Sequence, residues 1–191
     1  AGDGINHSEM FPLFRQNGNN KLDFFQIWLN LPSYNKRVEP NFEMYWEDEI
    51  PKISSNLNGN KNVQVEIITG DYLDFSSPIA PKNSWASNKK NDVAVWIIRL
   101  GRNGKFALND TKSGAKRNLY VLKGSNIEID GQSISGGSMV TLDSSKNTVI
   151  KNLGSKTKIL MLQGVPINES VVKYGPFVMN TRSEIEQAFY D

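Results

Sequence analysis

Cysteine is absent from these 191 residues, and histidine occurs once. The first absence rules out disulfides and thiol chemistry. The second confines imidazole chemistry to His7. No run of about 18 apolar residues exists to span a bilayer as a helix. No basic stretch leads into an apolar core at the start, so the expected location is the cytoplasm. An excess of one charge is missing as well, because 22 Lys and Arg are set against 20 Asp and Glu, for a net charge of +2. A nucleic-acid protein usually shows a clustered basic stripe, and none is visible along the chain. The short groups Lys89-Lys90 and Lys112 to Arg117 read as solvated loops. There is no Gly-x-x-x-x-Gly-Lys phosphate loop, no dinucleotide fingerprint and no Gly-x-Ser-x-Gly nucleophile elbow.

What is present fits one good-sized domain, or one domain plus part of another. Apolar content of 38% and a mean hydropathy of −0.45 suit a soluble globular chain. The apolar pattern begins at once after Ala1, which predicts a chain entered in mid-domain. Residues 24 to 31 alternate, with Phe25, Ile27, Leu29 and Leu31 on one side, and read as a strand closed by Pro32. Phe42, Tyr45 and Trp46 at helical spacing after Pro40 predict a short helix over 39–46. A turn-rich loop over 56–62 precedes the clear alternation of Val63, Val65 and Ile67.

Strand signals then dominate. Between 70 and 92 the chain reads as long loops anchored by Trp85, and Val93 to Leu100 is nearly all apolar, as in a strand covered on both faces. Arg102 to Lys105 predicts a turn before Phe106 to Leu108. Lys123 to Ser125 predicts a hairpin connection, and Asp130-Gly131 a two-residue turn. Further short strands fit Ser138 to Leu142, Thr148 to Lys151 and Lys158 to Leu162. Many short strands with regular turns predict an all-β fold, a sandwich or a closed barrel. Only the tail is helical. Thr181 and Ser183 each stand three residues before a glutamate, Glu184 and Glu186, so either could start a capping box, and Ile185, Ala188 and Phe189 form a stripe that must bury against this barrel or another domain. The four tryptophans, Trp28, Trp46, Trp85 and Trp96, read as core or loop anchors.

His7 and Glu9 are the candidate site. Two residues apart on an extended segment, they point to one side and offer an imidazole nitrogen and a carboxylate oxygen to one metal ion. Such a mixed set suits iron, manganese or zinc, although three protein ligands are a common minimum for a catalytic metal. An ordinary hydrogen-bonded strand histidine is the alternative.

Three stretches, "AGDGINHSEMF" at 1 to 11, "FQIWLNLPSYNKRVEPNFE" at 25 to 43 and "YGPFVMNTRSEIEQAFYD" at 174 to 191, together resemble the pirin family of bicupins. "NLYVLKG" at 118 to 124 is similar to a cupin hairpin. The resemblance implies a cupin double-stranded β-helix, or jelly roll, in a bicupin arrangement whose first cupin is incomplete here. On that reading residues 1–50 are the end of a metal-binding cupin plus a linker, 51–180 the second cupin and 181–191 a C-terminal helix. It implies an iron-type metal, Fe2+ or another divalent ion, held by three histidines and a glutamate. His7 and Glu9 match the last two of these, and the upstream His-x-His pair has no counterpart in this sequence. The second cupin, without histidine, is expected to be metal-free and structural.

The implied activity is oxygen-dependent quercetin 2,3-dioxygenation, in which a flavonol hydroxyl meets the metal and Glu9 acts as general base. The alternative is a non-catalytic, redox-sensitive transcriptional co-regulator that docks a partner protein. On either reading direct nucleic-acid binding and membrane association are not expected, and the chain alone is expected to be inactive.

Overall fold

Alternation of apolar and polar residues builds most of this protein, as the computed structural model shows for residues 2–54, 61–111 and 113–191. Its strands are β1 Lys52–Ser54, β2 Lys61–Thr69, β3 Asp71–Tyr72, β4 Phe75–Ser76, β5 Ala94–Leu108, β6 Lys116–Lys123 and β7 Ile127–Ile129. β8 Gln132–Ile134, β9 Met139–Leu142, β10 Thr148–Asn152, β11 Thr157–Gly164, β12 Val172–Tyr174 and β13 Phe177–Met179 follow, before helix α1 Arg182–Tyr190. They fall into two units, Glu43–Asn168 and the residues up to Phe42 together with Glu169–Asp191. Of the turn-rich loop expected over 56–62, residues 56–60 lie outside the described residues and 61–62 already belong to β2.

In the first unit an antiparallel sheet runs β8-β7-β10-β5-β11-β6-β9, with β2 also on β5 and β1 on β2. The long strand β5 organises it. From Ala94 to Leu100 this strand pairs with β11 and, from Val95, with β2, while from Gly104 to Leu108 it pairs with β10. One strand thus serves both halves of a curled, barrel-like sheet. The turn expected at Arg102 to Lys105 is a bend instead, because the strand changes direction without reversing. Asn103 takes a left-handed conformation there, with φ of 55°. Gly104 is required by close approach, since a Cβ would lie 2.8 Å from the Gly101 carbonyl oxygen and 2.9 Å from that of Asn62. Asn152, fully buried, donates to the Leu100 and Gly101 carbonyls at 3.1 and 2.8 Å and accepts from the Gly154 N–H at 3.0 Å.

Side chains from both halves meet in one core that includes Ile67, Ile98, Phe106, Leu119, Ile150 and Ile159. Each such side chain stabilises the fold by about 1.5–3 kcal/mol through burial. Tyr72 packs edge-on against Trp96 at 5.1 Å and tilted against Phe106 at 5.5 Å. Asp130-Gly131 closes the β7–β8 hairpin as expected, with Ile129 opposite Gln132 and both turn residues at positive φ. The hairpin expected at Lys123 to Ser125 does not form. β6 already has β11 and β9 on its two edges, so the chain crosses to β10, where β7 pairs. Lys116 and Arg117 are likewise strand residues, not solvated loop. Trp85 does anchor its loop, its indole N–H donating to the Val165 carbonyl at 2.8 Å.

In the second unit β12 and β13 pair as a hairpin on which α1 packs, burying Ile185 and setting Phe189 against Phe177 and Tyr174 at ring distances of 5.0 and 5.8 Å. Of the two candidate capping boxes, Thr181 with Glu184 is the one that forms, and Ser183 lies inside the helix. The strand expected over 24–31 joins no sheet, because no neighbouring strand among the described residues pairs with it. The helix expected over 39–46 is also missing. A helix that short needs a buried face, and Phe42 and Trp46 are each 67% exposed. Trp28 and Trp46 therefore lie on the surface, while Trp96 is core.

Candidate functional site

The backbone around His7 and Glu9 belongs to no helix or strand, and the two side chains nevertheless meet. His7 Nδ1 lies 3.0 Å from Glu9 Oε1, with the side chains 62% and 64% exposed. A proton on Nδ1, donated to the carboxylate, leaves the Nε2 lone pair free to face a ligand. The segment is tied down just upstream, where the Asp3 N–H donates to the Val38 carbonyl at 3.0 Å. Arg37 bridges Asp3 and Asp191 at 3.4 and 2.7 Å. Its hydrogen bond to Arg37 holds the Asp191 carboxyl below the usual range. Downstream stand exposed apolar side chains, Met10, Phe14 and Phe11, the last 5.8 Å from Phe24.

One nitrogen and one carboxylate oxygen fit two positions around an iron-type ion. Among the described residues, however, no group of three or more His, Cys, Asp or Glu comes together. This chain's described residues therefore do not complete a metal site.

Two polar clusters escaped the sequence reading. Lys36, only 4% exposed, donates to Asn30 Oδ1 at 2.6 Å and towards the Val178 carbonyl at 3.4 Å. Burial lowers its pKa, opposed by Glu169 and Glu184. Glu169 in turn accepts from the Ser33 N–H at 2.7 Å and the Asn180 amide at 2.9 Å. These contacts fasten the loop after Pro32 to the β12–β13 region. In the other unit Arg117, also 4% exposed, donates to Gln163 at 2.6 Å, and Gln163 donates to Asp92 at 2.8 Å. Desolvation lowers the Arg117 pKa. No local pattern marks either buried cation, because Val178 and Glu169 around Lys36 and Gln163 beside Arg117 lie far along the chain. A cavity of about 850 Å³ opens beside Asp92, lined also by Tyr45, Asp71, Lys82 and Lys89.

From within β5 to the last residue, 95–191, the sequence matches the family model of the pirin C-terminal cupin domain. The chain belongs to the pirin family. A Vibrio cholerae protein provisionally named a quercetin 2,3-dioxygenase is 30% identical over 198 residues, which cover 100% of this chain and 63% of that protein. Human pirin is 28% identical over 195 residues, covering 100% of this chain and 61% of its own length. The crystal structure of a quercetin 2,3-dioxygenase from Acinetobacter baumannii superposes with a TM-score of 0.71 at 27% identity, over 85% of this chain and 52% of that one. This pirin-family chain thus spans about three fifths of the length of the curated relatives it matches. The curled sheet around β5 is accordingly a cupin. Among the described residues no helix is long and apolar enough to cross a membrane.

Proposed function

We propose that this chain is the part of a pirin-type quercetin 2,3-dioxygenase that contributes His7 and Glu9 to the metal site, with iron or another divalent ion as cofactor and a flavonol as substrate. Similarity over the whole chain to proteins named for that activity, at 30% identity to one of them, carries the reading. The 3.0 Å pairing of His7 Nδ1 with Glu9 Oε1 supports it, since it brings the two side chains together and leaves Nε2 and the second carboxylate oxygen to reach an ion. Further donors come from the portion of the protein that its relatives have beyond the matched length. Residues 1–50 then complete a first cupin and lead into the second at 51–180, with 181–191 as the closing helix. The Glu9 carboxylate, paired with His7 through one oxygen and open to solvent, keeps its other oxygen to take a hydroxyl proton from a bound flavonol, a general-base role.

A second reading, a non-catalytic co-regulator that docks a protein, is favoured by the exposed Phe11, Phe14 and Trp28. Metal content and oxygen uptake with quercetin, measured on the whole protein and its His7→Ala variant, separate the two. Bound metal with turnover, both lost in the variant, upholds the enzyme. Bound metal without turnover of any flavonol tested leaves the co-regulator, and metal binding indifferent to His7 removes the site assignment.

A further inference from the structure

Three lysines stand side by side across the barrel. Lys61 of β2 lies opposite Lys105 of β5, and Lys105 lies opposite Lys151 of β10. Phe106 and Ile150, the chain neighbours of Lys105 and Lys151, are fully buried, so alternation turns these two lysines outward; Lys61 is paired with Lys105, and all three are exposed. Adjacent strands are about 4.8 Å apart, which puts three ammonium groups on a row about 10 Å long. Like charges placed directly opposite one another destabilise a sheet. Only Lys151 has a carboxylate partner among the described residues, Glu128 at 2.5 Å.

A second row repeats the pattern on the same sheet. Arg99 lies opposite Lys158, and Lys158 opposite Lys123, with Glu66 on Arg99 at 2.6 Å. Arg102 is exposed on the bend of β5 between the rows. The chain as a whole carries only +2, so positive charge is concentrated on this face.

We propose that this outer face docks duplex nucleic acid through its phosphate backbone, without sequence preference. Lysine is a point charge suited to phosphate, whereas carboxylate recognition favours the bidentate arginine fork. Neither row contains an aromatic side chain on which an unpaired base could stack, so a duplex fits better than a single strand. Neither contains an apolar side chain to enter a lipid interface. The outside of a curled sheet is convex and lies against phosphates instead of entering a groove, which makes the contact blind to base order.

The test is fluorescence anisotropy of the full chain with two labelled duplexes of about 20 base pairs and unrelated sequence, titrated from about 50 to 200 mM salt. Both duplexes bind equally, at micromolar or weaker affinity, and log affinity falls linearly with log salt. Lys105→Gln lowers that slope by about one, and Lys61→Gln with Lys105→Gln by about two. Lys90→Gln, on the turn before β5, leaves the slope unchanged. The lysine variants melt no lower than the parent, because removing a like charge relieves the row. Absence of salt-dependent binding, an equal effect of Lys90→Gln, or preference for one duplex overturns the proposal. So does displacement of the duplex by an acidic peptide or by anionic vesicles at lower concentration, which reassigns the face to that partner.

Discussion

The Asn152 side chain donates to the carbonyl of Gly101 at 2.8 Å, and so fixes the point at which β5 leaves one half of the barrel for the other. The same amide reaches Leu100 at 3.1 Å, and Asn152 is fully buried. Asn152→Ala strands these carbonyls and the Gly154 N–H in the interior. A loss of about 2–3 kcal/mol in chemical denaturation is expected, since a buried unsatisfied polar group costs about 1–3 kcal/mol. A loss below about 0.5 kcal/mol, within the ordinary range of surface substitutions, counts against the clamp.

Thr181 caps α1, its hydroxyl accepting from the Glu184 N–H at 3.3 Å while Glu184 accepts from the Thr181 N–H at 2.7 Å. Thr181→Ala weakens the helix by about 1 kcal/mol, seen as faster amide exchange over 182–190. The Thr181 hydroxyl is also the main reason that the Glu184 carboxyl sits below its usual range. In a carbon-detected titration its pKa moves up in the variant; an unmoved value rules out the box as the cause.

Asp143 gives the acid limb of stability a handle. Its carboxyl is lowered to about 2, chiefly by the Ser145 hydroxyl and then by Lys146, at 2.6 and 3.0 Å. Because the folded value lies below the ordinary 3.8, the ionised group stabilises the fold above that pH, and the contribution is lost as pH falls through about 2. Between these limits Asp143→Asn flattens the fall of the melting temperature. Parallel melting curves for parent and variant across the window contradict it.

On the proposed metal-site reading, His7→Ala in the whole protein is expected to weaken metal affinity by at least about tenfold, the lower end of what loss of a mere supporting contact costs. Glu9→Gln keeps the size of the side chain and removes its charge, so it lowers both affinity and flavonol turnover. Elemental mass spectrometry and oxygen uptake read the two effects separately. Unchanged metal content in both variants removes these residues from the site.

Local signals were legible and long-range pairing was not. Val63, Val65 and Ile67 announce β2, Asp130-Gly131 a hairpin, and Thr181 with Glu184 a helix start, because each is decided within a few residues. Phe25 to Leu31 has the same alternation, but no strand among the described residues pairs with it, so periodicity alone could not make it sheet. Gly124 sits at a crossover between strands whose partners lie far along the chain. The contact of His7 with Glu9 was legible because the two are near neighbours; Lys36, held in part by Val178 from 142 residues away, was invisible for the opposite reason. The lysine row is hidden in the same manner, each member arriving on a different strand.

The sharing of β5 between both halves bears on how the chain is made. β5 ends at Leu108, and its partner β11 begins only at Thr157, about 50 residues later. At a synthesis rate of about 5–20 residues per second, the apolar run Ala94 to Leu100 emerges from the ribosome several seconds before that edge can be covered. For most of that interval β2 is the partner already outside, so the β2–β5 pairing closes one edge of the strand early while the opposite edge stays open until β11 arrives.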